Sequence, residues 1–428
     1  MRKLFYIDDT IANTISFWHL TGFLITLPFN YFYSEIILVS FAIHTLIHLK
    51  TAYLKTLFSR EVGVLVSIYL LGGVSVLYSS DKPEALNIAT RQLAILLMPV
   101  LFALNGIDLE KYRLKLFAFF IITCTGTIIY LYIDAFHTLA YFHLPAADLF
   151  TLAFMNHNFS LPIELHATYL SMYVSFSIIV LTYMLILEKR KRLKYLYIGC
   201  LFILTLGMLQ LSSRSVFIAL LLVINTVFPF LVFKGKARNR FMLVSLLLSG
   251  IIFFTILNID SFTVRYISEL KKDLTQKVDL VEINEPRMAR WKVTLELIKR
   301  SPIIGYGLGS EKKMLKEKYF EEKLYSSYLN EFNTHNEYLS FLLKTGIAGL
   351  ALFLYVLYVG FAAAWHKRDA LFMSFMILIS IVCISENLLD LNKGIFFYSF
   401  FFSLFLIKKK PEMAAERGNA AFKSGNPG

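Results

Sequence analysis

Three short stretches carry residue types suited to handling a phosphorylated substrate. LSSRS (211–215) places Arg214 in a very short connection between two apolar runs. EPRMARW (285–291) places Arg287 three residues from Arg290 and four from Trp291, spacings that share one face of a helix. FNTHNEYL (332–339) sets His335, flanked by Asn336 and Tyr338, directly ahead of a long apolar run. Arginine grips phosphate bidentately and keeps its proton, and histidine is the natural base for an incoming hydroxyl near neutral pH. Transfer from a diphosphate to a hydroxyl is the chemistry this set could perform. No acidic DxD-type pair accompanies it, so arginines would take the charge-stabilising role of a metal, and neither metal nor cofactor is expected.

Each signal also has a plain structural account. Arg214 at a membrane boundary could snorkel to lipid headgroups. Arg287 and Arg290 could form a solvated helix face. His335 could sit beside a helix cap supplied by Asn333 or Thr334. Glu386, in ISENLLD, is an ionisable group near the end of an apolar run and so a functional candidate, with pairing to Lys393 as the alternative. GYGLG (305–309) lacks the preceding strand and the Gly-Lys-Ser/Thr ending of a nucleotide loop and reads as a flexible turn. Gly346 and Gly349 read as close helix packing.

The elements that must position these residues are membrane helices. Of 428 residues 57% are hydrophobic, including 40 Phe and 24 Tyr, and only 17% are charged. Soluble cores of this length could not hide so much apolar surface. Twelve apolar runs (11–29, 32–49, 61–78, 92–105, 116–134, 166–187, 195–211, 215–233, 241–258, 336–362, 369–387 and 394–407) predict an all-α, polytopic membrane protein of about twelve spans. The runs 92–105 and 394–407 are short for a full crossing. The first run is read as an anchor rather than a removed signal peptide. Cys124, Cys200 and Cys383 all fall inside apolar runs, which gives no disulfide framework or metal cluster.

Charge sets the orientation. Basic residues crowd alternate connections, as in EKRKRLK (188–194) and KGKARNR (234–240), whereas the short connections on the other side hold only Lys82, Arg91, Arg214 and Lys393. The positive-inside rule then predicts both termini in the cytoplasm. The net charge of +13 is topology information facing anionic lipid, not a nucleic-acid surface. The expected organisation is helices 1–9 over 1–258, a large, partly helical loop on the far side over 259–335, helices 10–12 over 336–410, and a disordered cytoplasmic tail over 411–428. Within the loop, the helix opened by Pro286 is expected along the outer membrane surface, with Trp291 at the interface.

The order of these elements resembles the O-antigen ligase and O-antigen polymerase superfamily of bacterial envelope enzymes. The resemblance runs from about 195 to 362. It covers SSRS, the R-x-x-x-W pair Arg287 and Trp291, P-x-x-G-x-G (Pro302, Gly305, Gly307), H-N-x-Y-L (His335 to Leu339) and G-x-x-G-L (Gly346 to Leu350). It implies a metal-independent, inverting, C-type glycosyltransferase in the bacterial inner membrane. The donor would be an undecaprenyl diphosphate-linked glycan and the acceptor the lipid A core, with the active site periplasmic. Carried onto this chain, it implies that Arg214 and Arg287 hold the diphosphate and His335 activates the acceptor hydroxyl. Arg290 is then a second phosphate contact or a surface charge. HATYLSMY resembles a histidine element of some relatives, which makes His166 a donor- or acceptor-site candidate beside Asn336, Tyr338 and Glu386, or else a packing histidine. A polymerase joining lipid-linked repeats has the same requirements. A twelve-span anion permease fits less well, because its charges would lie near the bilayer midplane.

Overall fold

A computed structural model describes residues 5–274 and 285–408. Among the described residues all regular structure is helical, and every one of the twelve apolar runs is a helix. The helices are α1 (Ile11–Thr26), α2 (Tyr31–Ile47), α3 (Thr51–Leu57), α4 (Arg60–Val76), α5 (Lys82–Arg91), α6 (Leu93–Leu104), α7 (Leu109–Tyr141), α8 (Ala167–Leu187), α9 (Lys191–Leu211), α10 (Arg214–Leu222, continued in π-helical form over Val223–Val232) and α11 (Gly235–Asn258). A helical run over 260–273, termed α12, leads into α13 (Arg287–Arg300), α14 (Ser310–Glu321), α15 (Glu337–Lys367), α16 (Ala370–Val382) and α17 (Asn392–Leu406). The tail expected over 411–428 lies outside the described residues.

Seven helices are long and apolar enough to cross a bilayer, or eight if the bent pair α3–α4 counts as one span. The short run 92–105 reaches spanning length because α5 and α6 run on as one helix of 23 residues, Lys82–Leu104. Polar residues fix the starts: Thr10, Asn30, Ser59, Asp81, Asp108 and Asp369 each accept a hydrogen bond from a first-turn N–H of the helix that follows. Inside, Phe117, Phe120, Phe176, Phe397, Phe401 and Phe405 interlock by edge and offset ring contacts between α7, α8 and α17. Leu243, Leu247, Ile251 and Phe254 of α11 are exposed, as a lipid-facing helix requires.

The helix ends separate by chemistry. The ends near Arg113, Leu187, Val232, Lys367 and Lys408 meet around one basic cavity. The opposite ends of α8, α10 and α16 meet around Thr168, Arg214 and Glu386. One end of the bundle is thus basic, and the other carries the predicted site.

A broken helix fastens the large loop to that second end. Within α15, Gly346 leaves the helical region (φ 63, ψ −162), and its neighbours' freed backbone groups bond the loop instead. Tyr306 N–H donates to Leu343 O (3.0 Å), Gly307 N–H to Lys344 O (2.8 Å) and Ile347 N–H to Pro302 O (2.9 Å). On its other side the strap meets α4: Leu308 N–H donates to Ser75 Oγ (3.1 Å) and Ser79 Oγ to Leu308 O (2.6 Å). A Cβ on Gly307 would collide with the Ser79 backbone, and one on Gly346 with the Ile303 carbonyl. Two expectations are corrected here. GYGLG is a packed strap, not a flexible turn, because three backbone bonds and the serine hydroxyls hold it. Gly346 is a helix break, not a packing contact, because its φ is left-handed.

Candidate active site

Arg214 opens α10 directly after Ser212, whose left-handed backbone (φ 43) reverses the chain at the end of α9. Asn156 holds that corner, accepting nothing from it but donating its own N–H to Gln210 O (3.0 Å) and its Nδ2 to Leu211 O (3.3 Å). From there Arg214 enters a cavity of about 370 Å³ that is also lined by Arg265, Asp273, Arg287, Ser385 and Glu386. Arg214 Nη2 lies 2.6 Å from Asp273 Oδ2, and Arg287 Nε lies 3.5 Å from the same oxygen. Arg287 is steadied by donating Nη1 to Ser385 O (3.0 Å), and Ser385 Oγ bonds Ser215 Oγ (2.6 Å). Arg214 Nη1 is buried with no hydrogen-bond partner among the described residues.

His335 meets this cavity through Glu386. Its φ of 46 is a left-handed value that few non-glycine residues adopt, and a clamp on both neighbours maintains it. Thr334 N–H donates to Glu311 Oε1 (2.9 Å), and Thr334 Oγ1 donates to Asn387 Oδ1 (3.0 Å). Asn336 N–H donates to the same Asn387 oxygen (2.9 Å), while Asn387 Nδ2 donates to Glu311 Oε1 (3.0 Å). Behind the clamp, Lys344 ties Glu311 (3.0 Å) to Asp390 (2.7 Å). Burial pushes the Glu311 carboxyl up, but Lys344, Ser340 and the Thr334 N–H hold it down at about 2.

The ring of His335 places Nδ1 3.4 Å from Glu386 Oε2, and Thr168 Oγ1 donates to Glu386 Oε1 (3.2 Å). Burial pushes Glu386 up, yet the hydrogen bond and charge of His335, with His166 and Arg287, bring it to about 2. An ionised carboxylate only accepts, so His335 Nδ1 carries the proton toward it, and Nε2 is the ring nitrogen not engaged by Glu386. His166 caps α8 through Nδ1 (3.4 Å to Thr168 N–H) and packs edge-on to His157, with ring centroids 4.1 Å apart. Burial lowers the pKa of His166, and it lowers that of His157 to about 4, so both rings are neutral at pH 7.

The structure therefore brings Arg214, Arg287 and Glu386 to one cavity, with His335 bonded to Glu386 and His166 two residues before Thr168 of the cavity lining. Five expectations change. Arg290 is neither a surface charge nor a lining residue: it is buried, its guanidinium 5.0 Å from the Phe332 ring centroid. Trp291 is tied inward, its Nε1 donating to Thr334 O (2.9 Å), rather than set at a lipid interface. Asn336 is the cap of α15, accepting from Leu339 N–H (3.1 Å), whereas Asn333 Oδ1 accepts from His335 N–H (3.0 Å). Tyr338 is turned into the bundle, donating to Ser380 O (2.9 Å). Glu386 does not pair with Lys393, whose ammonium bonds the Leu27 and Phe29 carbonyls.

Asp273, Asn387, Glu311 and Thr168 were missed by the sequence reading. Glu311 stands two residues after the GYGLG strap, and Asn387 follows Glu386. Those adjacencies were the available signals, and only the fold gives them meaning.

Residues 199–354 match a protein-family model described as O-antigen ligase. No curated protein matches the chain.

Proposed function

We propose, from the match of residues 199–354 to a family model described as O-antigen ligase, that the chain is a polysaccharide ligase moving a glycan from a lipid diphosphate to the lipid A core. In this reading the arginine end of the bundle faces the periplasm, the basic end faces the cytoplasm, and undecaprenyl diphosphate is the carrier. Arg214 and Arg287 hold the diphosphate and stabilise the charge that grows on it as the glycosidic bond breaks. His335 Nε2 takes the proton of the attacking hydroxyl, and Glu386 steadies the imidazolium that forms. Attack from the face opposite the leaving diphosphate inverts the anomeric centre, and the arginines do the work a metal would otherwise do.

One observation carries this reading. Two arginines from elements more than 70 residues apart converge on a single carboxylate oxygen, as they could on a phosphate oxygen, and Glu386 of the same cavity bonds His335. Related polymerases need the same grip and base, and the acceptor separates the two activities.

The test is the lipopolysaccharide ladder of a strain lacking the gene, assayed alongside its lipid-linked glycan. Core without O-chain, with long glycan still on its carrier, supports the ligase. Core bearing a single repeat points to the polymerase, and an unchanged ladder overturns both.

A further inference from the structure

A second cavity, of about 480 Å³, opens at the same end of the bundle on the other side of the first turn of α8. Thr168 of that turn lines the arginine cavity, whereas His166 and Tyr169 line the second. Thr168 and Tyr169 are successive residues, so the two spaces lie on different faces of the same first turn of α8. Glu386 and Asn387 back the partition, bonded to Thr168 (3.2 Å) and to Tyr169 Oη (3.3 Å, donated to Asn387 O).

The chemistry of the second cavity differs from that of the first. Both of its cations are engaged by protein. Arg91 bonds Glu84 (2.8 Å) and the Asp390 carbonyl (3.2 Å), and Lys393 bonds the Leu27 and Phe29 carbonyls. What remains open to a ligand is rich in acceptors. The Glu164 carboxylate has no hydrogen bond or ion pair among the described residues; only its backbone N–H is engaged, on Leu161 O (2.9 Å). Glu35 accepts from Asn392 Nδ2 (3.1 Å) and feels the charge of Lys393, whereas Asn87 uses its Nδ2 on Glu84 (3.2 Å) and its carbonyl has no partner among the described residues. A carboxylate without a cation partner, as at Glu164, repels phosphate and accepts hydrogen bonds from hydroxyls. Tyr31 and Tyr169 add aromatic walls of the kind that sugar rings pack against.

Resting on the ligase–polymerase reading above, we propose that this second cavity binds the acceptor sugar and presents its hydroxyl across the His166–Thr168 turn to the base. The hydroxyl oxygen then forms the new bond to the anomeric carbon as the carbon–oxygen bond to the diphosphate breaks. The bonding pair leaves with the diphosphate, and the hydroxyl proton goes to His335. The sugar could be borne by lipid A core or by a second lipid-linked glycan, since the cavity reads hydroxyls rather than the carrier.

The test is transfer by the full chain in phospholipid vesicles, with lipid-linked glycan as donor and each of those two acceptors titrated in turn. Glu164 and Asn87 are both exposed, so Glu164→Gln with Asn87→Ala spares the core. For the true acceptor its KM rises about tenfold, the loss expected for hydrogen bonds to a charged group, while the donor KM stays put. The acceptor whose KM moves identifies the source. An unmoved acceptor KM, or donor and acceptor KM rising together, overturns the assignment. Arg214→Lys, run in parallel, separates the two failures. If it raises the donor KM while the double variant does nothing, only the second cavity is misassigned. If it leaves donor use unchanged, the underlying reading fails.

Discussion

Arg214 Nη2 lies 2.6 Å from Asp273 Oδ2, and this contact sits inside the cavity proposed for the diphosphate. Asp273 holds the place of an anion, so donor binding must displace it. Asp273→Asn is therefore expected to lower the donor KM several-fold, because a neutral amide competes less well for two guanidinium groups. A raised donor KM would mean that Asp273 organises the arginines instead of occupying their site.

Arg214→Lys keeps the charge and loses the fork. Transfer is expected to fall at least about tenfold through the donor KM, with the protein still inserted and abundant. Wild-type activity would return Arg214 to snorkelling.

His335→Ala should abolish transfer without changing membrane abundance. Asn387 touches both neighbours of His335 but does not line the arginine cavity. Asn387→Ala is expected to lower kcat about tenfold or more with little change in either KM, since it misplaces the base without touching donor or acceptor. A variant that loses membrane abundance would show a folding role instead, and Asn387→Asp should do no better, because it sets a carboxylate against those of Glu311 and Asp390 that Asn387 Nδ2 now bonds.

The Glu386 carboxylate gives a prediction about pH. Its folded pKa of about 2 lies below the ordinary value of 4.5, so its contribution to stability is fully present above 4.5 and is lost only as pH falls through about 2. The difference in Tm between wild type and Glu386→Gln should therefore stay constant from pH 7 to pH 5. A difference that collapses near pH 5 would show that His335 and Arg287 do not hold the carboxylate ionised.

Gly346→Ala is expected to destabilise the strap strongly. Its Cβ would meet the Ile303 carbonyl, and alanine at φ 63 costs about 1 kcal/mol before any clash is counted. Protease nicking within 301–309 measures the effect, and a variant as resistant as wild type would contradict it.

The sequence carried the helices well, because spans announce themselves by apolar length and twelve runs gave twelve helices. It also carried Arg214, Arg287, His335 and Glu386, whose types are unusual where they stand. It failed where burial and partner decide the role. Arg290 and Arg287 share a helix face by spacing, yet one ends over Phe332 and the other in the cavity, a difference set by how α13 docks on α15. Asp273 looked like one more charge in a charged helix, since its meaning comes from Arg214, 59 residues earlier. Glycine spacing at 305–309 and 346 registered flexibility and packing, when the actual constraint was a backbone pairing between the two.

That pairing has a consequence for the lipid around the protein. The loop is tied to α4 and α15 by hydrogen bonds. Hydrophobic mismatch can tilt the bundle or thin the bilayer, but a loop bonded in this way moves with those helices. On the proposed reading, the arginines and histidine thereby keep their mutual geometry, and what the bilayer varies is the height at which a lipid carrier's headgroup arrives.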